Sequence, residues 1–219
     1  MFRAEWVFLL VLVLAIFIPI GFVEAVIGQV EADELSPELV LVVATVVISA
    51  LTGEVLYSGT VAALLAKTPA GDRPSITRLA GELAWGRLIA ADILVSALIV
   101  IGLLLLIAPG IIFLAWFAFV APVIEIEDRG LRDSFRRSRE LVRGRFWIVL
   151  AVVLGVTLTS EALITGMVEL AHSVLGEGLF AEWLAEVAGE VLTNTPYAVV
   201  VVLMAVELMR ERGEAPPHA

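Results

Sequence analysis

This chain contains six apolar segments, and its basic residues lie only at the two ends of the chain and in alternate connections between the segments. All 14 Lys and Arg residues lie before the first segment or after the second, fourth and sixth, whereas the connections 24–38 and 169–190 hold acids and no base. Basic residues beside a segment end stay in the cytoplasm during membrane insertion. The pattern therefore predicts six membrane crossings with both termini cytoplasmic. The predicted spans are residues 6–23, 39–57, 88–108, 110–124, 146–168 and 191–209.

The composition agrees with a membrane protein. Apolar residues make up 60% of the chain and charged residues 17%, against about 45–50% and 25% in soluble domains. We therefore predict a single all-α domain over residues 1–212, a polytopic helical bundle in the cell (inner) membrane. A net charge of −10 would ordinarily argue against nucleic acid or anionic lipid as a partner, but the charge is sorted by side, with basic cytoplasmic and acidic external connections. No nucleic-acid partner is expected. The absence of cysteine excludes disulfides and thiolate metal sites. No cofactor is expected.

The third and fourth spans are short for two crossings. Between Asp92 and Glu125 lie 32 uncharged residues, whereas one crossing takes about 20 residues. Pro109 and Gly110 stand in the middle, and proline followed by glycine favours a reversal. We predict a structural turn at Pro109 and Gly110, joining two helices that either cross the membrane or form a re-entrant pair.

Three further features lie near the ends of the chain. Residues 6–23 allow an alternative as a cleaved secretory signal, but 18 apolar residues exceed the usual 7–15 of a signal core, which favours an uncleaved helix. An amphipathic stripe over 179–191 predicts an external interfacial helix. The Pro-rich residues 213–219 predict a disordered tail.

The segment 129–145 has the clearest pattern. Leu131, Phe135, Ser138 and Val142 recur at helical spacing, and seven arginines against two acids give +5. Such a helix can lie in the headgroup layer with its arginines on lipid phosphates or an acidic partner. The alternative is that the arginines serve only insertion and pair locally, Asp133 with Arg137 and Arg136 with Glu140. The candidate binding residues are Arg132, Arg136, Arg137, Arg139 and Arg143.

The same region resembles a known membrane family. The runs APGII at 108–112, APV at 121–123 and LRDSFRRSRELVRGRFW at 131–147 are similar to a bacterial and archaeal family of six-span proteins, mostly of unknown function. That family includes the membrane domain of some glycerophosphodiester phosphodiesterases. The resemblance is best over 103–149 and implies a membrane module without an assigned activity. The catalytic phosphodiesterase domain has no counterpart in these 219 residues. The positions that carry the motif are Arg137, Ser138, Leu141, Gly144 and Trp147.

Acids inside the spans are candidates for an ion or proton site, because a charge in the membrane is costly. Glu54 is the only charged residue of the stretch 39–65, and Asp92 lies in the third span. A transporter would use Glu54 as a proton or cation site. The alternative is structural: Glu54 lies near the cytoplasmic interface, where it either snorkels or pairs with Arg87 or Arg145.

Three functions fit this sequence to different degrees. The favoured one is a non-catalytic membrane module that assembles with itself or a membrane protein partner, or engages anionic lipid through the segment 129–145. The alternative is a small transporter or channel that uses Glu54. A membrane enzyme is disfavoured, because the two histidines, His172 and His218, belong to no recognisable nucleophile or metal motif.

Overall fold

All regular structure in the described part of the chain is helical. The computed structural model describes residues 3–28, 53–67, 76–176 and 178–213, and the predicted all-α class is confirmed for these residues. The helices are α1 (Arg3–Gly28), α2 (Glu54–Lys67), α3 (Ile76–Glu82), α4 (Trp85–Leu105), α5 (Ile107–Phe117), α6 (Val120–Ile126), α7 (Leu131–Val142), α8 (Phe146–Leu175) and α9 (Leu179–Glu211).

Four stretches of the described residues are long and apolar enough to cross a membrane. They are α4, the α5–α6 unit Ile107–Ile126, α8 and α9. The first predicted span, 6–23, falls within α1, whose apolar part Leu10–Phe22 is shorter than a full crossing in the residues searched. Most of the second predicted span, residues 39–52, lies outside the described residues, as does the predicted tail beyond Gly213.

The predicted turn at Pro109 and Gly110 is wrong by three residues. The chain reverses at Leu106, an extended residue with φ −163° and ψ 139°, and both predicted turn residues lie in the first turns of α5. Proline is tolerated there because its missing N–H would have no helical partner. Gly110 has a packing role instead: a Cβ on Gly102 would lie 2.7 Å from the Gly110 nitrogen. The two glycines therefore let α4 and α5 approach closely.

The predicted external helix is not a separate element. It is the first part of α9, which runs without a break from Leu179 to Glu211 although Pro196 lies inside it. Helices of 30 and 33 residues are about 45 and 50 Å long, more than the ~30 Å hydrocarbon core. α8 and α9 therefore outrun the predicted spans 146–168 and 191–209. The stripe over 179–191 is continuous with a crossing helix because the glycines that flank the two helices, Gly176 and Gly178, come before it.

Several described arginines lie at one end of the bundle, where they form ion pairs and hydrogen bonds with neighbouring helices. Arg87, at the start of α4, contacts Asp128 at 2.5 Å, between α6 and α7. Arg145, before α8, contacts Glu211 at the end of α9 at 2.8 Å. Arg212 donates to the Glu140 carbonyl of α7 at 2.6 Å. The helix ends that carry bases therefore meet around α7, which we call the basic end.

Candidate functional site

A buried serine fixes α7 to the helices beneath it. The Ser138 hydroxyl donates to the Trp116 carbonyl at 2.7 Å and accepts from the Phe119 N–H at 3.2 Å. These two groups flank the break between α5 and α6, where helical hydrogen bonding stops. Because one hydroxyl serves both, Ser138 stabilises the break and anchors α7 on it.

Arg137 lies inside the protein, which corrects its place among the candidate binding residues. Its side chain is only 8% exposed and contacts Glu127 at 3.0 Å, and Glu127 is also paired with Arg129. The physical reason is helical spacing, since Ser134, Arg137, Ser138 and Leu141 share the buried face of α7. Sequence reasoning missed Glu127, because it lies before the segment 129–145, among other acids, and no local pattern links it to Arg137.

The apolar stripe of α7 packs on protein rather than in a headgroup layer. The Phe135 ring lies 5.0 Å from the Phe117 ring of α5, and Val142 is fully buried in the core with α8 and α9. The apolar stripe of α7 therefore faces the protein and not the lipid. The predicted pair of Arg136 with Glu140 is confirmed at 3.6 Å, whereas Asp133 pairs with Arg136 rather than with Arg137.

An open groove of about 850 Å³ lies between α5, α7 and α8. Apolar side chains from the two apolar helices form its walls, and α7 with its C-terminal end closes it with charged side chains. The apolar lining includes Ile111, Ile112 and Trp116 of α5 and Phe146, Trp147 and Leu150 of α8. The charged lining consists of Arg136, Arg139, Glu140 and Arg143. Sequence reasoning found these arginines but not the groove.

The groove arginines differ in their pairing. Arg136 is partly neutralised by Asp133 and Glu140, whereas Arg139 and Arg143 form no ion pair with an acid in the described residues. The Arg139 guanidinium lies over the Trp116 ring, 4.2 Å from its centre, and such a contact orients a cation without neutralising it. Arg132 is exposed but does not line the groove. The groove thus presents two unneutralised guanidinium groups beside apolar walls.

Asp92 holds the start of another helix. It is 5% exposed, and its carboxylate accepts from the Gly53 N–H at 2.7 Å and the Val55 N–H at 3.2 Å. The first N–H groups of a helix have no intrahelical partner, and a carboxylate there is also favoured by the helix dipole. Asp92 is therefore a capping residue for α2, and the structure gives it a role that needs no bound ion.

Glu54 lies beside Asp92 and Tyr197 and takes no part in the ion pairs of the basic end. It starts α2 and contacts the Tyr197 hydroxyl, about 21 Å along α9 before Glu211. The expected pairing of Glu54 with Arg87 or Arg145 is wrong, because those arginines pair with Asp128 and Glu211.

Two cavities of about 20 Å³ each meet at Glu54 and Tyr197, and each has room for about one water. Polar side chains of α8 and α9 line one cavity, among them Glu161, Glu190 and Asn194. Sequence reasoning did not find Glu190 and Asn194, which are hydrogen-bonded to each other. No group of three or more His, Asp or Glu within the described ranges is arranged to hold a metal ion.

The class that this fold and groove indicate is an α-helical membrane protein with one basic end. More particularly, the chain belongs to the family described as a domain of unknown function, DUF7847, whose model matches residues 48–210. No curated protein and no solved structure matches the chain. The family match includes α7 and the groove but gives no activity. The relation to the phosphodiesterase membrane domain stays a prediction.

Proposed function

We propose that this protein is a non-catalytic integral membrane module that engages anionic lipid through its basic end. The observation that supports this most directly is the pair of unneutralised arginines, Arg139 and Arg143, beside the apolar walls that α5 and α8 give the groove. Guanidinium groups bind phosphate oxygens with charge-assisted hydrogen bonds. In a membrane, the abundant anion at the level of helix ends is the lipid headgroup.

The division of α7 into two faces supports the same proposal. Arg137 and Ser138 on the inner face are used for attachment. Arg132, Arg139 and Arg143 on the outer face are exposed, and no described acid pairs with them. Arginines that serve only membrane insertion do not need to be held in fixed positions. A binding surface gains from fixed positions, because preorganisation lowers the entropy lost on binding. Assembly with a second copy or with a membrane protein partner remains a prediction beside this one.

The orientation is part of the proposal. We place the protein in the cell membrane, with both termini and α7 on the cytoplasmic side. The sorted basic residues support this through the positive-inside rule. The ion pairs of Arg87 and Arg145 and the hydrogen bond from Arg212 to the Glu140 carbonyl, all near α7, support a common side. The cytoplasmic leaflet carries the anionic lipid that the basic end would engage.

The experiment compares the native protein with a variant in which Arg132, Arg136, Arg139 and Arg143 are all glutamine. Both are reconstituted in nanodiscs of phosphatidylcholine with a minor share of phosphatidylglycerol, and the lipid retained after detergent extraction is measured. We expect the variant to lose its enrichment of phosphatidylglycerol, because about 1 kcal/mol per base is removed. The native enrichment should fall as salt rises. Equal enrichment in the two proteins would contradict the proposal.

A second candidate function is proton movement through Glu54. The supporting observation is that Glu54 and Tyr197 stand between two water-sized cavities with polar side chains. The test is proton flux into proteoliposomes under an imposed pH gradient. This candidate requires flux in the native protein, its loss in Glu54→Gln, and its retention in Glu207→Gln, a control carboxylate at the exposed end of α9 that pairs with Arg210. No flux in the native protein would remove it.

A further inference from the structure

We propose that the groove between α5, α7 and α8 is a site for one phospholipid, which enters sideways from the membrane. Its phosphate lies against Arg139 and Arg143, and one acyl chain lies along α5 past Ile112. This inference deepens the proposed function, because it replaces a general attraction to anionic lipid with a defined pocket and a two-part ligand.

The charged part of the groove fits a phosphate. Arg139 and Arg143 line it without a paired acid in the described residues, so an anion can take both guanidinium groups. The carboxylate that also lines the groove, Glu140, lies 3.6 Å from Arg136, which offsets its repulsion. Arg139 is held over Trp116 at 4.2 Å, and therefore part of the anion site is oriented before a ligand arrives.

The apolar part of the groove fits a hydrocarbon chain. The lining of α5 extends from Trp116 back to Ala108, about 12 Å at 1.5 Å per residue. Both α5 and α8 belong to stretches that can cross a membrane, so this wall lies where acyl chains lie. Phe146 and Trp147 line the groove at the start of α8, and tryptophan favours the membrane interface, between headgroup and chain.

Other anions fit less well. A free phosphate would occupy only the arginine end of a groove of about 850 Å³. An acidic peptide would bring backbone N–H and C=O groups against Ile111, Ile112 and Leu150, which offer no hydrogen bonds, and leaving such groups unpaired is costly. A lipid carries the anion and the apolar chain in the order that the groove presents them.

The headgroup arm of the test uses single arginine variants in one helix. Binding of phosphatidylglycerol to the detergent-purified protein is measured by native mass spectrometry for Arg139→Gln, Arg143→Gln, the double variant and the matched control Arg132→Gln. We expect about fivefold weaker binding for each groove variant and roughly 25-fold for the double, from the usual strength of one base at an anionic membrane. Arg132→Gln should change binding less than twofold, because Arg132 is exposed outside the groove.

The acyl-chain arm fills the groove without changing its charge. Ile112→Trp, and as a second variant Leu150→Trp, should each reduce bound lipid by roughly tenfold or more although all arginines remain, since a larger side chain takes the space of the chain. Ile148→Trp is the matched control, because Ile148 is 52% exposed on α8 and does not line the groove. Inorganic phosphate in excess should not displace the lipid.

The outcomes separate the two proposals. Equal weakening by Arg132→Gln and the groove variants would overturn the defined site while leaving general lipid engagement in place. No weakening by any arginine variant would overturn both. Unchanged binding in Ile112→Trp and Leu150→Trp, or displacement by inorganic phosphate, would show that the groove takes an anion without a chain, and the phospholipid site would fall.

Discussion

Replacing Ser138 with alanine tests whether the contact between α7 and the α5–α6 break holds the groove together. The change removes a donor at 2.7 Å from the Trp116 carbonyl and an acceptor at 3.2 Å from the Phe119 N–H. Phe119 is fully buried, so its N–H has no water to turn to. Alanine fits the vacated space with no new contact, and the loss is confined to the hydroxyl.

The expected loss follows from what is left unpaired. A buried donor without its acceptor costs about 1–3 kcal/mol, and hydrogen bonds between membrane helices average about 0.6 kcal/mol with a maximum near 1.7. We therefore expect Ser138→Ala to lower the free energy of unfolding by about 1.5–3 kcal/mol. Ser134→Ala is the matched control in the same helix. The Ser134 hydroxyl donates a hydrogen bond to the Gly130 carbonyl at 3.0 Å. That carbonyl also accepts from the Ser134 N–H at 2.9 Å, and this second hydrogen bond remains in the variant. We therefore expect Ser134→Ala to lower the free energy of unfolding by about 0.5 kcal/mol or less.

The assay is reversible unfolding in mixed micelles with increasing dodecyl sulfate, followed by tryptophan fluorescence. Lipid retention is measured in parallel, because Ser138 is next to Arg139 in sequence and donates a hydrogen bond to the Trp116 carbonyl. Arg139 and Trp116 both line the groove. We expect Ser138→Ala to weaken binding of phosphatidylglycerol and Ser134→Ala to leave it unchanged. A stability difference between the two variants below about 0.5 kcal/mol would refute the reasoning that this hydroxyl anchors α7.

Three further predictions test other parts of the fold. Gly102→Ala should destabilise the protein by about 1–2 kcal/mol, because overpacking outweighs the gain in helix propensity. Gly155→Ala, where nothing lies within 4 Å of an added Cβ, should be neutral or stabilising by up to about 1 kcal/mol. Both variants are measured by the same unfolding assay. Asp92→Ala should cost about 0.5–2 kcal/mol through loss of the α2 cap, and Asp92→Asn less. In right-side-out vesicles, a membrane-impermeant thiol reagent should label a cysteine placed at Ser173 and not one at Gly130, and the reverse result would overturn the proposed orientation.

The position of α7 could be predicted from the sequence, whereas the use of its side chains could not be predicted in full. The spacing of Leu131, Phe135, Ser138 and Val142 located the helix, because helical periodicity is a local property. The sequence pattern groups Arg137 with the other arginines, because it lies off the apolar stripe. Its burial depends on Glu127, ten residues earlier, and such a pairing is decided by the tertiary fold.

The α4–α5 turn shows a second limit. Proline followed by glycine is a strong local signal for a reversal, and it predicted a turn at Pro109 and Gly110. The same two residues also fit the start of a helix, where proline loses nothing. The choice between the two depends on Gly102, whose contact with Gly110 requires both glycines to face each other. The groove was out of reach for the same reason, since its walls come from three helices.

The residues that carry the family resemblance and the residues proposed to bind lipid are largely different. Arg137, Ser138 and Leu141 are buried and attach α7, and Gly144 has φ +96° at the turn into α8, which favours glycine. The motif therefore mainly describes how α7 is attached to the bundle, although Gly144 and the 77% exposed Trp147 also line the groove. It follows that a protein with this motif but without bases at the positions of Arg139 and Arg143 should fold in the same way and retain little anionic lipid. Native mass spectrometry on such a protein would distinguish the attachment of α7 from lipid binding in the groove. Strong retention of anionic lipid by that protein would mean that the lipid does not recognise the groove arginines.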